Sequence, residues 1–162
     1  MTDTTNTNAE PDSFRVRATP SHLILHVSDT DTTVRFYQQL FGAEATDDHS
    51  FSSPSLDAIF GRPGVRIRST FIDAAGYRLH TIETLDEPRP RRVLDPATPP
   101  QIGVSGLSFA VEDLDALHER ATAAGLEPTP IYEFSHDQLD HTARMFFLRD
   151  PDSVRLELIA AR

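Results

Sequence analysis

Three short apolar strands carry side chains able to do chemistry. In HLILHV, residues 22–27, the two-residue period puts His22, Ile24 and His26 on one face. Seven residues after His22 comes Asp29, and the same spacing separates Gly106 from Asp113 in GLSFAVED. Setting YRLHTI over VRLELI aligns Arg78 with Arg155, Leu79 with Leu156, Ile82 with Ile159, and His80 with Glu157. An imidazole titrates near neutrality, so it can ligate a metal, pass a proton or serve as a hydrogen-bonded core group. A carboxylate on an apolar strand such as RLELI needs a partner, because an unpaired buried charge costs several kcal/mol. A metal could be that partner, and so could Arg78 or Arg155. The sequence has no cysteine, so any metal must rest on His, carboxylate or water.

The elements that position these residues occur twice. After HLILHV, Asp29 is a plausible N-cap for TDTTVRFYQQLFG, where Val34, Tyr37 and Phe41 make an apolar stripe and Gly42 stops the helix. After GLSFAV, Asp113 caps LDALHERATAAG, with Leu114, Leu117 and Ala121 on one side and Gly125 as the stop. Each half then closes with strand, turn and strand, in RIRSTFIDAAGYRLHTIE and ARMFFLRDPDSVRLELIA. In the second, DPDS reads as a structural turn. Two βαβββ units follow from this order, at residues 18–86 and 101–162. Residues 87–100 hold five prolines and form a connector. Residues 1–17 are polar and read as a flexible tail. One unit leaves a sheet face bare, so two must pair to bury a core. The expected class is α+β, two βαβββ units paired into a half-barrel around a central cavity.

The chain has 162 residues and a formal net charge of −10. That length buries a core without staples, and the acidic balance argues against nucleic acid, whose phosphates demand a basic face. No apolar run approaches the roughly 18 residues of a membrane span, and the first residues lack the regions of a signal peptide. A cytoplasmic protein acting on a small molecule is expected.

The stretches HLILHVSDTDTTVRFYQQLFG, GYRLHTIE, GLSFAVEDLDALHERATAAG and RDPDSVRLELI resemble, in this order and spacing, the vicinal oxygen chelate superfamily of glyoxalases, bleomycin resistance proteins and extradiol dioxygenases. FGRPGVRIRSTFIDAAGYRLHTIETLDEP looks most like members near methylmalonyl-CoA epimerase. The resemblance implies one divalent ion (Zn, Ni, Mn, Co or Fe) held from four strands, at positions matching His22, His80, Gly106 and Glu157. Gly106 stands where the family usually has a third histidine. The implied ligands are thus His22, His80 and Glu157, with water or substrate at the corner beside Gly106.

Two readings of function follow. In the first, a metal-dependent isomerase, epimerase or lyase chelates a substrate through two oxygens and stabilises an enolate or oxyanion, with Glu157 or His26 moving the proton. Gly106, Ser108 and His26 would contact substrate. A non-haem iron dioxygenase uses a similar donor set, but the family's dioxygenases take their second histidine from the position of Gly106. The second reading is a metal-free binding protein, like the family's antibiotic-sequestering members. A homodimer is expected in either case. His118 reads as a surface residue. His136 and His141, in a hairpin beside the last strand pair, are candidates for a replacement ligand.

Overall fold

The computed structural model describes residues 21–87, 89–95, 98–99, 102–136 and 139–161. The expected tail at residues 1–17 lies outside them, as do Pro88, Pro96, Ala97, Pro100 and Gln101 of the connector region and the side chains of His136 and His141.

The first unit runs β1 (Leu23–Val27), α1 (Thr30–Phe41), β2 (Glu44–Ser52), α2 (Pro54–Phe60), β3 (Arg66–Ala74) and β4 (Tyr77–Thr84). The second runs β5 (Leu107–Ala110), α3 (Leu114–Ala123), β6 (Tyr132–His136), β7 (Leu139–Arg149) and β8 (Arg155–Ala161). Each unit makes one four-stranded sheet, in the orders β1-β4-β3-β2 and β5-β8-β7-β6. The opening strand of each lies parallel to its closing strand, and the other neighbours are antiparallel. This is the expected α+β pairing of two equivalent units.

Local chemistry accounts for the helices. The Asp29 carboxylate accepts the Thr32 amide at 2.6 Å, and Gly42 closes α1 with φ 66°, a left-handed turn that favours glycine. Asp113 caps α3 in the same way through the Ala116 amide at 3.0 Å. The buried face of α1 is Thr30, Thr33, Phe36, Tyr37 and Leu40, so the apolar stripe is rotated from expectation, with Val34 and Phe41 at its margin. Helix α2 was not anticipated. Ser53 caps it through the Leu56 amide at 3.2 Å, Pro54 opens it and Gly61 ends it. Leu56 and Phe60 of α2 pack on Val65, Ile67 and Ile82, over one end of the first sheet's outer face.

The other face of each sheet meets the helices in one shared core. Tyr37, Ile72, Leu79, Phe146, Leu148, Leu156 and Leu158 are fully buried there. Phe41 stacks on Phe109 across the two units, with centroids 4.4 Å apart. Polar locks join the units as well. The Tyr37 hydroxyl donates to Asp150 at 3.3 Å, and the Ser28 amide donates to Asp152 at 3.1 Å. His118 is not a surface residue. It is half-buried, its Nε2 lies 2.9 Å from the Thr129 carbonyl and its ring meets Phe146 edge-on.

Candidate functional site

The candidate residues lie on the sheet faces turned away from α1 and α3. Strand register fixes their correspondence. Leu23 pairs with Leu79 and Ile24 with His80 in the first sheet, while Leu107 pairs with Leu156 and Ser108 with Glu157 in the second. His80 and Glu157 are therefore equivalent, and so are Ile24 and Ser108. Two residues before these last two stand His22 and Gly106.

In the first unit the structure brings His22 and His80 together. Their rings sit 5.2 Å apart and nearly perpendicular. Phe71, the partner of His80 across β3 and β4, stacks on the His80 ring at 4.5 Å. His80 Nε2 lies 2.7 Å from the Ser69 hydroxyl, while its Nδ1 is buried with no hydrogen-bond partner. In the tautomer that donates its Nε2 proton to Ser69, Nδ1 keeps a bare lone pair. Burial, and then the neighbouring His22 and His26, hold the His80 imidazole below its usual pKa. This favours the neutral ring, the form that binds a metal ion. His26 points from the same face about 13 Å along the strand from His22, and only two residues beyond Ile24, the register partner of His80. It is exposed and meets the Phe60 ring of α2 edge-on at 6.0 Å.

In the second unit the Ser108 hydroxyl donates to Glu157 at 2.6 Å. Arg155 lies over the Phe147 ring, with its guanidinium carbon 3.9 Å from the centroid. Arg78 sits over Phe71 at 4.6 Å in the first unit, so the cation–π pair is itself repeated. Sequence reading missed this pair, although the aligned arginines signalled it. Ser105, Ser108, Phe147, Arg155 and Glu157 line a hollow of about 320 Å³ that Gly106 borders.

Gly106 has a steric cause. A Cβ placed on it would stand 2.3 Å from the Arg155 backbone oxygen, closer than atoms can approach. It is the close approach of another backbone that strand glycines often mark. A histidine cannot be restored there without moving β8.

The donor set thus fits a metal in part. The paired imidazoles and the orphaned Nδ1 of His80 suit a shared ion. However, among the described residues no group of three His, Asp or Glu side chains stands close enough to hold one. His22 and His80 form one cluster, and Glu157 with Ser108 forms another. His136 belongs to β6 and His141 to β7, and their side chains lie outside the described residues.

Comparison with known structures shows the same fold. A glyoxalase family protein from Bacillus cereus superposes with a TM-score of 0.64 at 16% identity, covering 94% of this chain and 97% of that one. A glyoxylase/bleomycin resistance protein/dioxygenase domain from Frankia sp. EAN1pec gives 0.60 at 23%, covering 90% and 98%. The fosfomycin resistance protein FosX from Listeria monocytogenes, complexed with Mn(II) and sulfate, gives 0.56 at 22%, covering 90% and 93%. No curated protein sequence matches the chain. Among the described residues, no helix is long and apolar enough to cross a membrane. The paired units agree with a family-level match over residues 19–158, and the chain belongs to the Glyoxalase/Bleomycin resistance protein/Dioxygenase superfamily.

Proposed function

We propose that the protein is a divalent-metal-dependent enzyme that binds a small oxygen-bearing substrate and stabilises an enolate or related oxyanion, in an isomerase, epimerase or lyase reaction. The observation that carries this reading is the His22–His80 pair, 5.2 Å between centroids, with a buried His80 nitrogen left without a partner. A divalent ion bound there would supply Lewis acidity toward substrate oxygens. The manganese bound by the Listeria FosX, a protein of the same fold, supports the ion. Ser69 fixes the His80 ring, and exposed His26 is free to move a proton at the edge of the same face.

The third donor, Glu157, comes in this reading from a second copy in a homodimer. Both outer faces expose large apolar side chains: Ile24 (56%) and Phe51 (45%) on the first sheet, Tyr132 (46%) and Phe134 (58%) on the second. Faces of that kind mark surfaces meant to be covered. Joining the first face of one copy to the second face of another would bring Glu157 and its Ser108 to the histidine pair.

Cobalt(II) titration, followed by its visible absorption, tests the ion. His80→Ala should abolish the signal and Glu157→Ala should weaken it at least tenfold. Mixing the two variants after mild unfolding and reassembly should restore part of the signal, because a mixed dimer regains one intact site. An intact signal in His80→Ala would end the metal reading, and failure of the mixture would end the shared site. A second reading, a metal-free binding protein, is favoured by the rings of Tyr132, Phe134 and Phe147 on the second face, which could stack on a planar ligand. It would stand if neither protein nor variants bind any divalent ion at neutral pH.

A further inference from the structure

A second cavity, of about 440 Å³, lies between the two units. Strand β1, the connector, the residues leading into β5 and the β7–β8 turn contribute to its wall. The apolar part includes Ile24, Leu25, Leu94 and Leu107. Its charged lining is three arginines, Arg92, Arg149 and Arg155.

These cations gather without matching anions in the lining. Arg149 donates Nε to the Asp95 carbonyl at 2.8 Å, Nη1 to the Ser153 carbonyl at 2.8 Å and Nη2 to the Thr98 carbonyl at 3.1 Å. Main-chain carbonyls position a guanidinium but carry no net charge to offset it. Burial, then Arg155 and Arg92, hold the Arg149 pKa below its usual value, against the opposing pull of the Asp95 and Asp150 carboxylates. Arg155 spends its planar face on Phe147, and its Nε is buried without a hydrogen-bond partner. In a chain of net charge −10, converging three arginines on one cavity is a local exception. An oxyanion would relieve the repulsion, since a guanidinium fork matches carboxylate and phosphate geometry.

We propose that this cavity binds a small organic oxyanion, its carboxylate or phosphate against Arg92 and Arg155 and its short apolar body against Ile24, Leu94 and Leu107. The volume lies in the range of about 300–1,000 Å³ common for small-molecule sites. Arg149 holds the connector, and the other two arginines reach the ligand. The cavity adjoins the candidate site through Ile24, the register partner of His80, but its lining includes none of His22, His80 and Glu157, and it needs no metal.

Calorimetry on the full chain in EDTA, with hexanoate, hexyl phosphate, inorganic phosphate and 1-hexanol as probes, tests this. At least one hexyl anion should bind, with hexanol weaker by tenfold or more, and the stronger of the two anions identifies the headgroup. Arg92→Ala and Arg155→Gln should each weaken that binding at least fivefold, while His80→Ala leaves it unchanged. Arg92 is exposed, so its variant keeps the test valid should Arg155→Gln fail to fold. Equal binding of hexanol, binding of inorganic phosphate as tight as hexyl phosphate, or unaltered anion binding in Arg92→Ala would overturn the proposal.

Discussion

Replacing Asp150 with asparagine should stabilise the protein at neutral pH and remove a slope from its stability–pH curve. Asp150 is 4% exposed at the junction of the two units. Its Oδ1 accepts the amides of Asp152 at 3.0 Å and Val154 at 2.8 Å, and its Oδ2 accepts the Tyr37 hydroxyl at 3.3 Å. Three neutral donors do not repay the desolvation of the charge, and burial pushes the carboxyl up from 3.8 to about 6. The folded state therefore holds this proton more tightly than the unfolded chain. Stability from the group is full below about pH 4 and is lost as the pH rises through about 6. At about 1.4 kcal/mol per tenfold change, the ionised form costs the fold about 3 kcal/mol at pH 7.

Asparagine keeps Oδ1 for both amides and turns an amide donor toward Tyr37, so it imitates the protonated acid. Urea unfolding from about pH 4 to pH 7.5 should find the variant and the parent equal at the acid end. The variant should gain up to about 3 kcal/mol at the neutral end, roughly 6–12 °C in melting temperature for a chain of this size. The difference between the two curves isolates Asp150 from His80, whose lowered pKa acts in the opposite sense. Parallel curves, or a variant less stable at pH 7.5, would refute the reasoning.

Further outcomes follow from steric and ionic detail elsewhere. Gly106→Ala should lose about 1–3 kcal/mol in thermal unfolding, since its Cβ would meet the Arg155 carbonyl at 2.3 Å; an unchanged melting temperature would show that β8 yields freely. Gly106→His should destabilise at least as much and should not tighten metal binding in cobalt titration. Asp48, held at about 2 by Arg68, Thr70 and charge, lends stability above about pH 4 that is lost as the pH falls toward 2. It is half-exposed, so solvent screening limits Asp48→Asn to a loss of about 0.5–1 kcal/mol at pH 7 in urea unfolding.

The repeat was legible because its signals are local. Asp29, Gly42 and Asp113 act at helix ends through the nearest backbone groups, and period-two alternation fixes which strand face is buried. The same local signals mark α2, in Ser53, Pro54 and Gly61, and only its short length hid it. His118 misled because its helix reads as polar around it, whereas its ring is held by Thr129 and Phe146 from another stretch of chain. The gathering of three arginines around the connector was equally out of reach. Arg92, Arg149 and Arg155 come from segments whose approach depends on how the two units dock.

Gly106 joins these levels. Its position in the repeat could be read from spacing alone, but its cause is a distance between backbones. In the second unit the entry to β5 passes so near the Arg155 carbonyl that no side chain fits. The equivalent place in the first unit holds His22, whose ring reaches His80. One steric difference therefore makes two equivalent faces chemically unlike. The first offers paired imidazoles, and the second a carboxylate held by a serine beside an arginine on a phenylalanine. Neither face alone has the donors for a closed metal site, and within one chain the described residues do not combine them. Divergence of this kind is tolerable when each face works against its opposite. In the proposed homodimer, a joined pair of faces would still offer His22, His80 and Glu157, with a corner beside Gly106 for substrate oxygens.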